Sequence, residues 1–422
     1  MPLPLALIVL FVMGAGVGSL VNLGVATLAW DRRMIHPWLR PSPETPPRRR
    51  TDRVPVIGWW GMRRESPWHG RGFWIRPLLV ELLLGAAFAA LYWWELDRYA
   101  LLPFEDFPGP LPAGVLRDLS VQLASHLVLI ALMLVASLID ADEKIIPDTI
   151  TVPGALLGLV FAAAYPRSLL PIDVRGFAAG GQCVPLLLTS PSRPADWLWG
   201  WPHGGALLLG LGCWWLWCVA LMPRRWYGRH GWRRALGLLL ARFARDASVR
   251  LLSLLGLLGS AAIAAMWLLG GPHWLGFLTA LVGMAASGAL VWLVRIIGAA
   301  ILGREAMGFG DVTLMAMIGA FLGWQAGLLV FFLAPFAGLV LGLLVVLLRR
   351  DSEIPYGPFL CLGAVLVLVF WASLWRSTAT VFAMGSLVPL MVFCCLVLLA
   401  VLLSVLQIIK RIIKRIIRAI FR

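Results

Sequence analysis

The chain has 422 residues, of which 60% are hydrophobic and only 14% charged. That is too little polar surface to clothe a water-soluble fold, so the bilayer must serve as its solvent. The formal net charge of +15 is carried mostly between apolar runs, which points to membrane orientation and anionic-lipid contact and away from nucleic acid.

Runs of apolar residues predict an all-α, polytopic integral membrane helical bundle of about eleven transmembrane helices. The expected spans lie at roughly 3–29, 77–97, 119–139, 151–165, 204–222, 250–269, 277–301, 312–323, 325–348, 358–375 and 380–406 by this length criterion. The first has no basic residue before it and no small-residue cleavage site, so it reads as a retained span and not as a removed signal. Segment 30–76 is rich in arginine and proline and reads as a cytoplasmic loop without a core of its own. Segment 223–250 and the Arg349–Arg350 pair are also basic, whereas the alternate loops hold few cations. The positive-inside rule then puts the N-terminus outside and both 140–150 and 303–311 in the cytoplasm.

Residues 77–375 form the expected multi-span core, followed by an extra span at 376–406. The run Ile408-Ile409-Lys410-Arg411-Ile412-Ile413-Lys414-Arg415 within 407–422 alternates apolar and basic pairs, the pattern of an amphipathic helix lying on an anionic leaflet. The outer loop 166–203 is irregular, with Gly180-Gly181 and a Pro-rich 191–194, and suggests no chemistry. The six cysteines (Cys183, Cys213, Cys218, Cys361, Cys394 and Cys395) form no CxxC pair and read as small buried hydrophobes.

Two acids stand at the edges of apolar runs. Asp140 closes the run from Leu119 in Ser137-Leu138-Ile139-Asp140, and Asp311 precedes the run from Val312 in Gly308-Phe309-Gly310-Asp311. An ionisable group in such a place is costly and marks a functional site by default. Two carboxylates on one membrane face can share a proton and activate water, the chemistry of an aspartic protease. Gly308 and Gly310 remove side chains beside Asp311, so a substrate backbone can approach. Of the neighbouring acids, Asp142 and Glu143 are expected to face water and Asp148 to cap the following helix.

Three stretches resemble the type IV prepilin peptidases, in that family's order. They are Leu138-Ile139-Asp140 through Ile146-Pro147-Asp148 and on to Pro153, Met307-Gly308-Phe309-Gly310-Asp311 through Trp324, and Ile354-Pro355-Tyr356-Gly357-Pro358-Phe359-Leu360. The resemblance implies Asp140 and Asp311 as the catalytic pair. It implies substrate contacts at Gly308, Gly310, Pro355, Gly357 and Pro358. It further implies a multi-pass bacterial inner-membrane aspartic endopeptidase that removes the basic leader of prepilins or pseudopilins at the cytoplasmic face. The family's paired-cysteine element has no cysteine in 30–76, which speaks against zinc and against the N-methyltransferase activity that uses S-adenosylmethionine. Proteolysis itself calls for no cofactor or metal. Two other readings stay open: a non-catalytic scaffold or transporter of the same fold, and a methyltransferase acting on pilin amino termini.

Overall fold

Apolar runs become helices because a bilayer leaves backbone N–H and C=O groups no other partners. The computed structural model describes all residues except 1, 42, 103–112, 174–182, 223–246, 304, 306, 349–354 and 421–422. Much of the basic 223–250 segment, Arg349, Arg350, Ile354 and Gly180-Gly181 therefore lie outside the described residues. In chain order the helices are α1 (Leu3–Leu28), two short ones, α2 (Ile57–Met62) and α3 (Ser66–His69), then α4 (Ile75–Tyr92), α5 (Ala113–Glu143) and α6 (Asp148–Ala164). They continue with α7 (Gly204–Leu221), α8 (Ala247–Leu269), α9 (Gly271–Leu302), α10 (Phe309–Leu348), α11 (Gly357–Val369), α12 (Trp371–Phe382) and α13 (Leu387–Ile420). Strands β1 (Pro171–Asp173) and β2 (Cys183–Pro185) pair antiparallel in the loop between α6 and α7. Among the described residues, eight helices are long and apolar enough to cross a membrane, or nine if the α11–α12 pair, bent by 92°, counts as one span. This is the polytopic all-α architecture expected.

α10 is not one straight span. A Cβ built on Gly319 would lie 2.5 Å from Ser287 Oγ, and one on Gly327 would lie 2.1 Å from the same oxygen. On an uninterrupted helix residues so spaced would be about 12 Å apart along the axis. The chain therefore doubles back between them, at Gly323 with φ 83° and ψ 168°, a conformation only glycine reaches without strain. The second limb carries Gly338 against Phe359 of α11, whose first residue meets Asp140. The two limbs correspond to the separate apolar runs at 312–323 and 325–348, and they bring the chain back to the face it left.

The 166–203 loop seals this turn. Gln325 Nε2 donates to Leu187 O at 2.8 Å, Trp324 Nε1 donates to Leu188 O at 2.8 Å, and the Leu188 N–H donates to Thr279 Oγ1 at 3.0 Å. Gln325 and Thr279 are fully buried, so without these partners the turn would leave polar groups bare in an apolar setting.

Segment 30–76 is more ordered than its composition suggests. Glu81 of α4, fully buried, accepts from Trp59 Nε1 at 2.9 Å, from Asn22 Nδ2 at 3.4 Å and from the Val56 N–H. Asp52 accepts from the Arg49 N–H at 2.6 Å and from Arg64. Glu65 pairs with Arg48 at 3.4 Å and His69 at 3.3 Å. Arginines assigned to orientation thus also neutralise buried acids, which must be paired to be tolerated. The tail differs as well. α13 runs unbroken from Leu387 to Ile420 over 34 residues, so no break at 407 separates span from basic extension. Beyond Pro389 that stretch contains neither Gly nor Pro to end a helix.

Two predictions follow from this arrangement. In a background stripped of native cysteines, Glu305→Cys and Pro355→Cys should label from the same side of the membrane and Asp196→Cys from the other. A straight α10 would put residues 305 and 355 on opposite sides.

The second concerns His36, whose Nδ1 accepts the Trp38 N–H at 3.1 Å while its Nε2–H donates to Ser19 O at 3.0 Å. Burial, opposed by the Ser19 bond and aided by the Arg48 charge, pushes its pKa down from 6.5 to about 4. The unfolded chain then binds a proton that the folded one refuses. The folded segment is fully favoured above pH 6.5 and loses about 3 kcal/mol as pH falls through the window down to 4. Limited proteolysis of 30–76 should accelerate across that window, and His36→Gln should remove most of this dependence.

Candidate active site

Asp140 sits in the last turn of α5. The helix stops where Lys144 takes a left-handed φ of 57°, its N–H closing onto Asp140 O at 2.8 Å. The Asp140 carboxylate is 5% exposed, and its Oδ2 accepts the N–H of Gly357 at 3.1 Å. Gly357 is the first residue of α11, so this is one of the helix donors left without an intrahelical partner. Pro358 stands next in that first turn, where a proline costs no hydrogen bond. Pro355 and Tyr356 lead into it.

Asp311 is in the first turn of α10, 6% exposed and bonded to the backbone of Gly308. The preceding loop is shaped by Arg295 of α9. Its Nε donates to Met307 O at 3.0 Å, its Nη2 to Glu305 Oε1 at 2.9 Å, and its guanidinium lies 5.9 Å from the Phe309 ring centroid. The helix before it ends at Gly303, with φ 68°.

The two carboxylates lie within electrostatic range of each other, and Tyr356 and Cys361 lie within range of Asp311. Two helix N-termini, those of α10 and α11, present their positive ends to this spot. Ile146, 6% exposed, fills the space between the two glycine positions. A Cβ on Gly310 would meet Ile146 Cβ at 2.7 Å, and one on Gly357 would meet Asp140 Oδ2 at 2.5 Å and Ile146 Cδ1 at 2.8 Å. Gly308 is the open one, its nearest neighbour Asp311 Oδ2 at 3.7 Å. Gly310 thus makes room for Ile146, and the space beside Gly308 is open.

The remaining acids of the α5–α6 turn have other partners. Asp142 receives both bonds of Arg76 at 2.7 Å, and Glu143 accepts the N–H groups of Trp30 and Asp31 at 2.8 Å each. Asp142 is exposed and Glu143 half-exposed, as expected, and both also tie the N-terminal segment to α5. Asp148 does not cap α6. Pro147, with extended φ and ψ of −71° and 130°, occupies the cap position, and the Asp148 carboxylate accepts from Thr313 Oγ1 at 3.3 Å. Sequence reasoning did not single out Ile146, Arg295, Thr313 or Tyr356. Only Arg295 carried a signal of its own, as a charge inside the 277–301 apolar run.

Among the described residues no group of three or more His, Cys, Asp or Glu is placed to hold a metal ion. Both ring nitrogens of His36 are engaged, His69 Nε2 is held by Glu65, and 30–76 contains no cysteine, whereas a structural zinc takes four protein donors in a tetrahedron.

These features define a polytopic membrane protein with a buried pair of acids at two helix ends. A sequence model of the Type IV leader peptidase family matches residues 127–222 and 235–343, a range that holds both Asp140 and Asp311. Curated relatives include the prepilin leader peptidase/N-methyltransferase of Aeromonas salmonicida (strain A449), 36% identical over 112 residues, covering 26% of this chain and 38% of the relative. That of Aeromonas hydrophila is 36% identical over 118 residues, covering 27% and 40%. That of Myxococcus xanthus (strain DK1622) is 29% identical over 252 residues, covering 60% and 64%. The chain thus spans less than two thirds of the length of each of these relatives. No solved structure matches. The chain belongs to the type IV leader peptidase family.

The glycines give a test of the packing that needs no substrate. Gly310→Ala and Gly357→Ala should each destabilise the protein by about 1–3 kcal/mol through overpacking. Gly308→Ala should stay within about 0.5 kcal/mol. Thermal unfolding in detergent reads all three.

Proposed function

We propose that the protein is an aspartic endopeptidase of the bacterial inner membrane that removes the basic leader of prepilins or pseudopilins at the cytoplasmic face. The observation that carries this reading is the buried Asp140–Asp311 pair, set between the first turns of α10 and α11 with Gly357 N–H on Asp140. One carboxylate takes a proton from water, whose oxygen attacks the scissile carbonyl carbon. The other, protonated, donates to the carbonyl oxygen. Collapse of the tetrahedral intermediate breaks the C–N bond, the amine leaves with a proton, and the pair returns to its single-proton state. Either acid can begin as base, so the roles belong to the pair. Helix dipoles favour the charge that develops on the carbonyl oxygen.

The distribution of arginines supports the orientation, because segment 30–76 and the dyad then share the cytoplasmic side. The basic end of α13 and the loop arginines suit anionic lipids on that leaflet. Methyl transfer from S-adenosylmethionine is not part of the proposed reaction, since hydrolysis needs only water and the two acids.

Coexpression with candidate prepilins tests the proposal. Asp140→Asn and Asp311→Asn should each insert normally yet lower cleavage by roughly 10²–10⁴-fold or more. Asp142→Asn and Glu143→Gln, which hold the N-terminal segment, should retain most activity. Full cleavage by either dyad variant would refute the assignment.

A further inference from the structure

The third acid of the site, Asp148, has a place that the reaction above does not use. It opens α6, and its carboxylate meets the hydroxyl of Thr313, a residue 3% exposed that follows Asp311 in the first turn of α10. The same hydroxyl lies 3.1 Å from Gly310 O and receives a hydrogen bond from Thr151 Oγ1 at 3.0 Å. Thr151 is 1% exposed. With its acceptor side taken by Thr151, Thr313 has one proton left, and the acceptors within reach are Asp148 and the Gly310 carbonyl. An ionised acceptor makes the stronger bond.

Resting on the peptidase reading, we propose that Thr313, anchored by Asp148, is a positioning residue that fixes the first turn of α10, and with it Asp311, relative to α6. The rest of the α6–α10 contact supports this. A Cβ on Gly154 would meet Met317 Sδ at 2.3 Å, and one on Gly158 would meet Phe321 Cδ2 at 2.8 Å and Ala320 Cβ at 3.0 Å. A side chain at either glycine would displace Met317, Phe321 or Ala320, so the two helices pack closely here. Along this contact the hydroxyl link is the polar lock at the dyad end, where α10 begins. Asp311 lies two residues before Thr313, so rotation of that turn would move the carboxylate away from Asp140. Such misplacement costs rate more than binding.

The test uses the full-length protein in detergent or proteoliposomes. Thr313→Val keeps the shape and removes the hydroxyl, and Asp148→Ala removes its anchor. Each should lower kcat 10- to 100-fold with KM within about threefold, and each should displace the pH profile of kcat. Thr313→Ser should recover most of the first loss. Asp148→Asn, whose amide oxygen still accepts from Thr313, should recover most of the second. An unchanged kcat in Thr313→Val overturns the proposal, as does an Asp148→Asn variant no better than Asp148→Ala, which would make Asp148 a proton carrier. A second readout is independent of substrate: infrared titration of ¹³C-labelled aspartate, with Asp311 assigned by its loss in Asp311→Asn. The Asp311 band should titrate at a different pH in Thr313→Val than in the parent protein, and identical curves overturn the positioning role. If the parent cleaves no prepilin, the peptidase reading falls, while the titration still decides whether Thr313 places Asp311.

Discussion

The close approach of three backbone segments around Ile146 governs the site. The α5–α6 turn, the start of α10 and the start of α11 converge there because Gly310 and Gly357 carry no side chain toward it. Any Cβ at either position would displace Ile146 or the Asp140 carboxylate. Burying two carboxylates side by side is costly. The cost is offset by backbone N–H groups at helix starts, which bond to Asp140 directly and favour negative charge near Asp311. In the proposed reaction the same geometry polarises a carbonyl placed between them.

That convergence depends on what happens at the opposite side of the membrane. α10 begins at the dyad and must return to it before α11 can supply Gly357. The reversal at Gly323 achieves this within a single turn of chain, with Gly319 and Gly327 packed around Ser287 of α9. The 166–203 loop supplies the carbonyls that the reversal needs, through Gln325 and Trp324. At the dyad end Arg76, Asp142 and Glu143 fasten the N-terminal segment to the end of α5. The scaffold is therefore a set of reversals, each with its own polar satisfaction, that returns successive helix ends to one place.

Much of this was legible in the sequence. Apolar runs declared the helices, because bilayer length and backbone satisfaction act locally. The gaps between the expected spans, from 139 to 151 and from 323 to 325, declared the reversals. Asp140 and Asp311 stood out as acids where acids are expensive, and the glycines beside them as places of close approach. What escaped were groups whose meaning lies in distant partners. Thr313 is an ordinary threonine until Asp148, far away in the chain, is placed against it. Ile146 looks like any apolar residue in a turn. The order in segment 30–76 is set largely by Glu81, which belongs to the next helix. An acid inside an apolar run was the available signal there, the same signal that exposed Asp140. Asp148 was misread for a related reason. A helix start invites a capping carboxylate, but the preceding proline already had the cap geometry.

The most direct test of the central claim is cross-linking of the two acid positions themselves. In membranes, a double variant with Asp140→Cys and Asp311→Cys, and with native cysteines replaced, should be bridged by the shortest bifunctional thiol reagents. The bridge should form within one chain and fail in either single variant. Contradiction would come from thiols that each react with a monofunctional reagent in the inserted protein yet never link to one another.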